Sequence, residues 1–302
     1  MIVTEMYHRA VLLKESIEGL HIIDGGTYVD ATFGGGGHTN AILEKLKGGR
    51  VIAFDQDKDA FANVNSDKRL ELVHSNFRFM AEQLSARGIT KVDGILADLG
   101  ISSHQIDTPE RGFATRFDAT LDMRMNSDAT RTAADIINTY PAARLQKMFS
   151  EYGEITNAAN LARVIEAARK IKHIKTTGEL IEAIGICTPP QIAHKYLAQV
   201  FQSLRIELNE EVEVLKDLLR QSQSLINKGG RLVIISYHSL EDRLVKNYMR
   251  SGNFEGIPEK NMYGHDLRPF EPITRKPIAP GEEEISSNSR ARSAKMRIAE
   301  KI

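Results

Sequence analysis

Only one cysteine, Cys187, occurs in 302 residues. That excludes an internal disulfide and any multi-cysteine zinc site, and points to a reducing, cytoplasmic setting. An excess of charge is also missing: 40 basic residues balance 40 acidic ones, so any surface that attracts nucleic acid must be local. No apolar run is long enough to span a bilayer. The start of the chain, with Glu5, His8 and Arg9 ahead of Val11-Leu12-Leu13, has no secretory apolar core, and no membrane partner is expected. Aromatic residues make up only 6%, and no module that stacks bases on a row of aromatic side chains is recognisable. What remains is an ordinary globular composition, with length for one large domain or two modest ones.

Against this background one stretch stands out, Asp30-Ala31-Thr32-Phe33-Gly34-Gly35-Gly36-Gly37-His38. It follows the apolar pair Tyr28-Val29, the end of a strand, and precedes Thr39 to Leu46, whose apolar residues recur at helical spacing. Four glycines at a strand-to-helix turn allow positive φ and close approach of a ligand to the main chain, and the helix aims its first amides at the same place. The dinucleotide fingerprint fails, because its third glycine would fall on Thr39 or Asn40, which counts against a nicotinamide-dependent oxidoreductase. The P-loop fails too, because no Gly-Lys-Ser/Thr follows. An acid four residues before the first glycine resembles the first motif of S-adenosylmethionine (SAM) methyltransferases.

Further strands are expected at Arg50–Asp55, Glu71–His74 and Val92–Asp98, with helices from Asp59 and from Phe79 to Arg87. This rhythm predicts an α/β fold, Rossmann-like, with a doubly wound, mostly parallel sheet. A polar loop follows from Leu99 to about Leu121, then an all-helical stretch to about Arg205 and a long helix from Ile206 to Ile226. Gly229 to Ser236 returns to the sheet, Ser239 caps the next helix with Asp242, and Ser293 to Ile302 alternates like a strand with one exposed face. The expected organisation is a core from 1–105 and 206–302 interrupted by a helical insertion at 106–205.

Ligands of such sheets sit at the carboxyl ends of the strands. Asp55, after the second strand, is placed to accept hydrogen bonds from both hydroxyls of a ribose, or else is a solvated loop acid. Phe77, after the third, either sandwiches an adenine or belongs to the core. Asp98, after the fourth, either faces a target amine or caps a helix. An exocyclic amine is a poor nucleophile, and a carboxylate accepting its N–H hydrogen bond localises the lone pair for attack on a sulfonium methyl, with no metal required. Attack at cytosine C5 would instead need a cysteine nucleophile; Cys187 lies far in sequence from any strand end and reads as structural.

The motifs His8 to Leu13, Asp30 to His38, Asp93 to Ser103, Glu110 to Phe113, Leu121 to Met125, Tyr152-Gly153-Glu154, Ser236 to Arg243 and Pro280 to Glu284 together resemble one family. It is the bacterial ribosomal RNA small-subunit methyltransferase H family (RsmH, formerly MraW). The resemblance runs from about residue 8 to residue 300. It implies SAM-dependent methylation of the N4 amine of one cytidine in the decoding region of 16S rRNA, within the small ribosomal subunit. It also implies SAM contacts at Gly36, Gly37, His38, Asp55, Phe77, Asp98 and Gln105, with Asp98 catalytic. This chain follows Asp98 with Leu99-Gly100-Ile101, where many amino methyltransferases have Pro-Pro-aromatic, so the aromatic that would stack on the base is missing there. His238 either helps to hold the cytosine or caps a helix. RNA contacts are expected from Arg169, Lys170, Lys172 and Lys175, or from Arg290, Arg292, Lys295 and Arg297, unless these are solvated faces.

Overall fold

A computed structural model of the chain describes residues 10–264 and 267–302; His8 and Arg9 of the first motif lie outside the described residues. In chain order the first part contains α1 (Leu13–Leu20), β1 (Thr27–Asp30), α2 (Gly37–Lys45), β2 (Arg50–Asp55), β3 (Leu70–His74), α3 (Met80–Ser85) and β4 (Val92–Asp98). Helices α4 (Ser103–Asp107), α5 (Ala133–Thr139), α6 (Ala142–Gly153), α7 (Ala158–Ile171), α8 (Thr177–Ile184), α9 (Ala193–Leu208) and α10 (Glu211–Leu225) follow. The chain continues with β5 (Ile226–Ser236), α11 (Ser239–Ser251), β6 (Phe270–Pro272), α12 (Glu282–Ser287) and β7 (Lys295–Lys301). It divides into two compact units, Met1–Gly100 with Glu213–Ile302, and Ile101–Val212.

The first unit is built on a seven-stranded sheet in the order β3-β2-β1-β4-β5-β7-β6. The first five strands in that order are parallel, and β7 runs antiparallel to both neighbours. Side chains alternate between the faces of a strand, and here both faces are buried. Tyr28, Val51, Leu96, Val233 and Ile235 pack with α1 and α2 on one side. Their neighbours Val29, Ile52, Ile95, Leu232 and Ile234 are equally buried on the other. Continuous apolar strands are what a doubly covered parallel sheet requires. From β1 the chain steps outward to β2 and β3 and then returns to β4 on the opposite side of β1. The carboxyl ends of β1 and β4 therefore flank the topological switch point, where open α/β sheets bind ligands.

The second unit has its own core. On α7, Ala158, Leu161, Ala162 and Ile165 are buried at helical spacing, and they join Leu145 and Phe149 of α6 and Val200, Phe201 and Leu204 of α9 in one cluster. Helices α6 and α9 touch at Gly153, where a Cβ would meet Ser203 Oγ at 2.3 Å.

Several local expectations are corrected. The segment from Asp59 is a short 3-10 helix, Lys58–Asn63, because the turn formers of Asn63-Val64-Asn65 follow before an α-helix can propagate. The polar loop after Leu99 contains α4, closed by a capping box between Ser102 and Gln105. The long helix from Ile206 is two helices. Asn209 ends α9 by donating from Nδ2 to the carbonyls of Met123 and Arg205, and Glu210 adopts φ 53°, so position 205 falls inside α9. The cap of α11 is His238 paired with Glu241, one residue before Ser239. Finally β7 has no exposed face. It lies between β5 and β6, and Met296, Arg297, Ile298 and Ala299 are all buried.

Burial of Arg297 needs a partner, which α11 supplies. Its Nε and Nη2 donate to Asp242 at 2.6 and 3.1 Å. Removing one member of a buried pair strands the other charge. Asp242→Ala is expected to lower unfolding free energy by about 3 kcal/mol in urea titrations. Adding Arg297→Met should recover part of that loss, and a second change that brings no recovery would show that Asp242 acts through something other than charge.

Candidate active site

The glycine loop owes its shape to a buried acid. Asp30, at the end of β1, is fully buried. Its Oδ1 accepts the Thr32 N–H at 3.0 Å and its Oδ2 the Thr39 hydroxyl at 2.7 Å, tying the start of the loop to the first turn of α2. Burial pushes this carboxyl up, and the nearby His38 and these hydrogen bonds oppose the shift. Gly36 caps α2 at φ 76°, and no side chain caps the helix there. A Cβ on Gly36 would press on the Phe33 ring at 3.0 Å, and one on Gly37 on Ala10 at 2.9 Å. The result is an open cradle of main-chain amides at a helix N-terminus, the kind of surface that receives the polar part of a cofactor.

Strand alternation places three acids on the same face of the sheet. Asp30, Asp55 and Asp98 keep the parity of Tyr28, Val51 and Leu96, which face α1 and α2. Asp55 is no solvated loop acid. Its Oδ2 accepts the Gly34 N–H and its Oδ1 the Asp57 N–H, both at 2.8 Å. Burial raises its pKa to about 6 against those hydrogen bonds. Each oxygen still has a second lone pair for a ligand hydroxyl. Phe77 starts the 3-10 turn Phe77–Phe79 after β3, capped by Asn76, and is only half-buried, so it is not a core residue.

Asp98 ends β4. Its N–H donates to Thr32 Oγ1 at 2.7 Å, its Oδ1 accepts the Tyr237 hydroxyl at 2.7 Å, and its Oδ2 faces His38 Nδ1 at 3.9 Å. It caps no helix, since the next one in the chain is capped by Ser102. His38 Nε2 lies 3.0 Å from the Val11 carbonyl. A carbonyl only accepts, so Nε2 donates to Val11, and Nδ1 is the ring nitrogen nearest Asp98. Burial pushes Asp98 up to about 6, opposed by His38 and by the Tyr237 hydrogen bond.

Gln105 belongs to the helical unit, buried, with Oε1 accepting the Ser102 N–H at 3.1 Å. His238 caps α11, and its Nε2 lies 3.1 Å from Glu241 Oε1. The four C-terminal cations form no common surface. Arg297 is buried against Asp242, Lys295 Nζ is 4.0 Å from the same acid, and of the four only Arg292 is exposed. In the helical unit Lys170, Lys172 and Lys175 are exposed, but Lys172 pairs with Glu179 at 2.6 Å and Arg169 donates to the Ile137 carbonyl at 2.7 Å. Cys187 is buried, its thiol donates to the Ile184 carbonyl, and burial pushes its pKa up, which makes it a poor nucleophile.

Two residues at the site escape sequence reasoning. Thr32 and Tyr237 hold Asp98 from the glycine loop and from the end of β5. The signals available for Tyr237 are its place in the motif Ser236 to Arg243 and its position at the carboxyl end of a parallel strand, where Asp55 and Asp98 also lie.

Residues 5–302 match the family model described as the MraW methylase family. A ribosomal RNA small subunit methyltransferase H from Cytophaga hutchinsonii is 55% identical over 298 residues, which is 98% of this chain and 100% of that protein. The protein of the same name from Flavobacterium johnsoniae is 52% identical, with both chains covered completely. Among solved structures, an rRNA methylase from Streptococcus thermophilus aligns over 95% of both chains at 14% identity and a TM-score of 0.39. With both halves of the sheet and the whole helical unit inside one continuous match, the chain belongs to the MraW methylase family.

Proposed function

We propose that this protein is a SAM-dependent methyltransferase acting on the N4 amine of a cytidine in the decoding region of 16S rRNA, in the small ribosomal subunit. The observation that carries the reading is Asp98. It is a carboxylate at the switch point with one oxygen held by a hydroxyl and the other beyond hydrogen-bond reach of its nearest basic neighbour. The name shared by the full-length relatives supports the RNA substrate.

The residues present fit SAM. Gly36 and Gly37 leave the cradle clear, His38 stands at its edge, Asp55 offers acceptors for ribose hydroxyls, and half-buried Phe77 offers a ring face for adenine. Bound there, SAM supplies a methyl group already activated on a sulfonium. Asp98 Oδ2 accepts an N–H of the cytosine amine, which draws the lone pair out of the ring and orients it for in-line attack. With SAM bound, formation of the N–C bond would break the sulfonium's S–C bond and leave a neutral thioether, and the proton then released by the positive nitrogen has Asp98 Oδ2 as its adjacent base. The exposed lysines of α7 and the segment after it meet RNA phosphates, a role limited by the Lys172–Glu179 pair.

Incubation of undermethylated small subunits with protein and SAM, followed by nucleoside mass spectrometry, should yield N4-methylcytidine; a 5-methylcytidine product would overturn the reading. Asp98→Ala should lose at least about a hundredfold in single-turnover rate while remaining folded. Asp55→Ala should weaken SAM binding by about 1.5–3 kcal/mol in calorimetry, the usual cost of a hydrogen bond to a charged group. Replacing Arg169, Lys170, Lys172 and Lys175 with Ala should lower affinity for the ribosomal substrate and flatten its salt dependence, with SAM affinity as the unchanged control. A wild-type salt slope would make that cluster a solvated face.

A further inference from the structure

One residue that the family motifs contain, Tyr237, has no task of its own in the reaction above. Tyr237 follows β5, two residues beyond Ile235, which is in register with Asp98 on β4. Alternation turns its ring to the α2 face, with Val233 and Ile235. Its main-chain N–H donates to Glu241 Oε2 at 2.9 Å, and Glu241 is itself buried in the cap of α11. The ring packs over Gly100, where an added Cβ would lie 3.5 Å from Tyr237 Cδ2. The backbone and ring are thus fixed before the hydroxyl meets Asp98 Oδ1 at 2.7 Å.

We propose that Tyr237 is the positioning residue for Asp98, holding Oδ1 so that Oδ2 alone is presented to the acceptor amine. A carboxylate with both oxygens free would rotate about its last bond and accept the amine in several orientations. One fixed donor removes that freedom and also favours the charged form that accepts. The other groups around the carboxylate cannot replace it. His38 Nδ1 from α2 favours the charge but stands 3.9 Å from Oδ2, beyond hydrogen-bond reach, and leaves Oδ1 unheld. Asp30 from β1 and Glu241 from α11 are acids that disfavour its charge, and Glu284 from α12 acts in the same sense on Tyr237. Thr32 engages only the Asp98 main chain. The inference rests on the catalytic reading of Asp98 proposed above.

The test is Tyr237→Phe, which keeps the ring and its packing and removes only the hydroxyl. Single-turnover methyl transfer to small subunits at saturating SAM would be followed from pH 5 to pH 9 in the wild type, in this variant and in Asp98→Ala. The expected result is a plateau rate lower by roughly tenfold or more, with SAM affinity unchanged. The acid limb, expected near pH 6 in the wild type because burial pushes Asp98 up to about 6, should move to higher pH, because the charged carboxylate has lost a donor that stabilised it. A merely structural role for Tyr237 would lower the amount of active protein without moving that limb. A limb at the wild-type pH overturns the proposal whatever the plateau does. If Asp98→Ala itself keeps wild-type turnover, the catalytic reading of Asp98 fails first, and that outcome is separate from any result with Tyr237→Phe.

Discussion

A carboxylate taken out of water must be given donors or it loses its charge, and this constraint shapes the site. Three parallel strands end in acids that share one face of the sheet, and each is supplied differently. Asp30 takes a loop amide and a helix hydroxyl, Asp55 two loop amides, and Asp98 a tyrosine hydroxyl. One donor to each of Asp30 and Asp55, the Thr32 and Gly34 amides, comes from the glycine loop; the others are Thr39 on α2 and Asp57 after β2. The path of the loop is therefore tied to two buried charges through the Thr32 and Gly34 amides, and α2, beginning at Gly37, presents its first amides as the cradle. Stability and function meet here without conflict, because the hydrogen bonds that make burial tolerable also set the shape a ligand sees.

The same logic separates the acids by task. Asp30 is closed on all sides and has no route to a ligand. Asp55 and Asp98 are held near a pKa of 6 and keep acceptor capacity. Perturbed acids of this kind gather at functional sites, since a group that is both buried and partly unsatisfied is costly to keep for structure alone.

How much of this the sequence revealed depended on whether the signal was local. Strands β2 and β4 were legible to the residue, since a run such as Val51-Ile52-Ala53-Phe54 can be stable only when covered on both faces. The strand-end positions of Asp55, Phe77 and Asp98 followed from the same alternation of strands and helices. Side-chain partnerships did not. Whether Asp98 capped a helix turned on Ser102 and Gln105 closing their own box, and whether Arg297 was a surface cation turned on β7 entering the sheet between two other strands. Neither fact leaves a local pattern. Alternation in Ser293 to Ile302 read as one wet face, whereas the polar Arg297 is buried because α11 brings an acid to it.

The bond between Tyr237 and Asp98 joins residues 139 positions apart, with the whole helical unit between them in sequence. On a translating ribosome, the strand that bears Asp98 emerges on the order of ten seconds before its tyrosine. During that interval β4 has β1 beside it but not β5, so one edge of the nascent sheet is open and the acid lacks its donor. The helical unit, whose core is drawn from one uninterrupted segment, can collapse in the meantime because its contacts are nearer in sequence. The order of synthesis therefore leaves the Asp98 carboxylate without its donor until β5 and Tyr237 close beside β4.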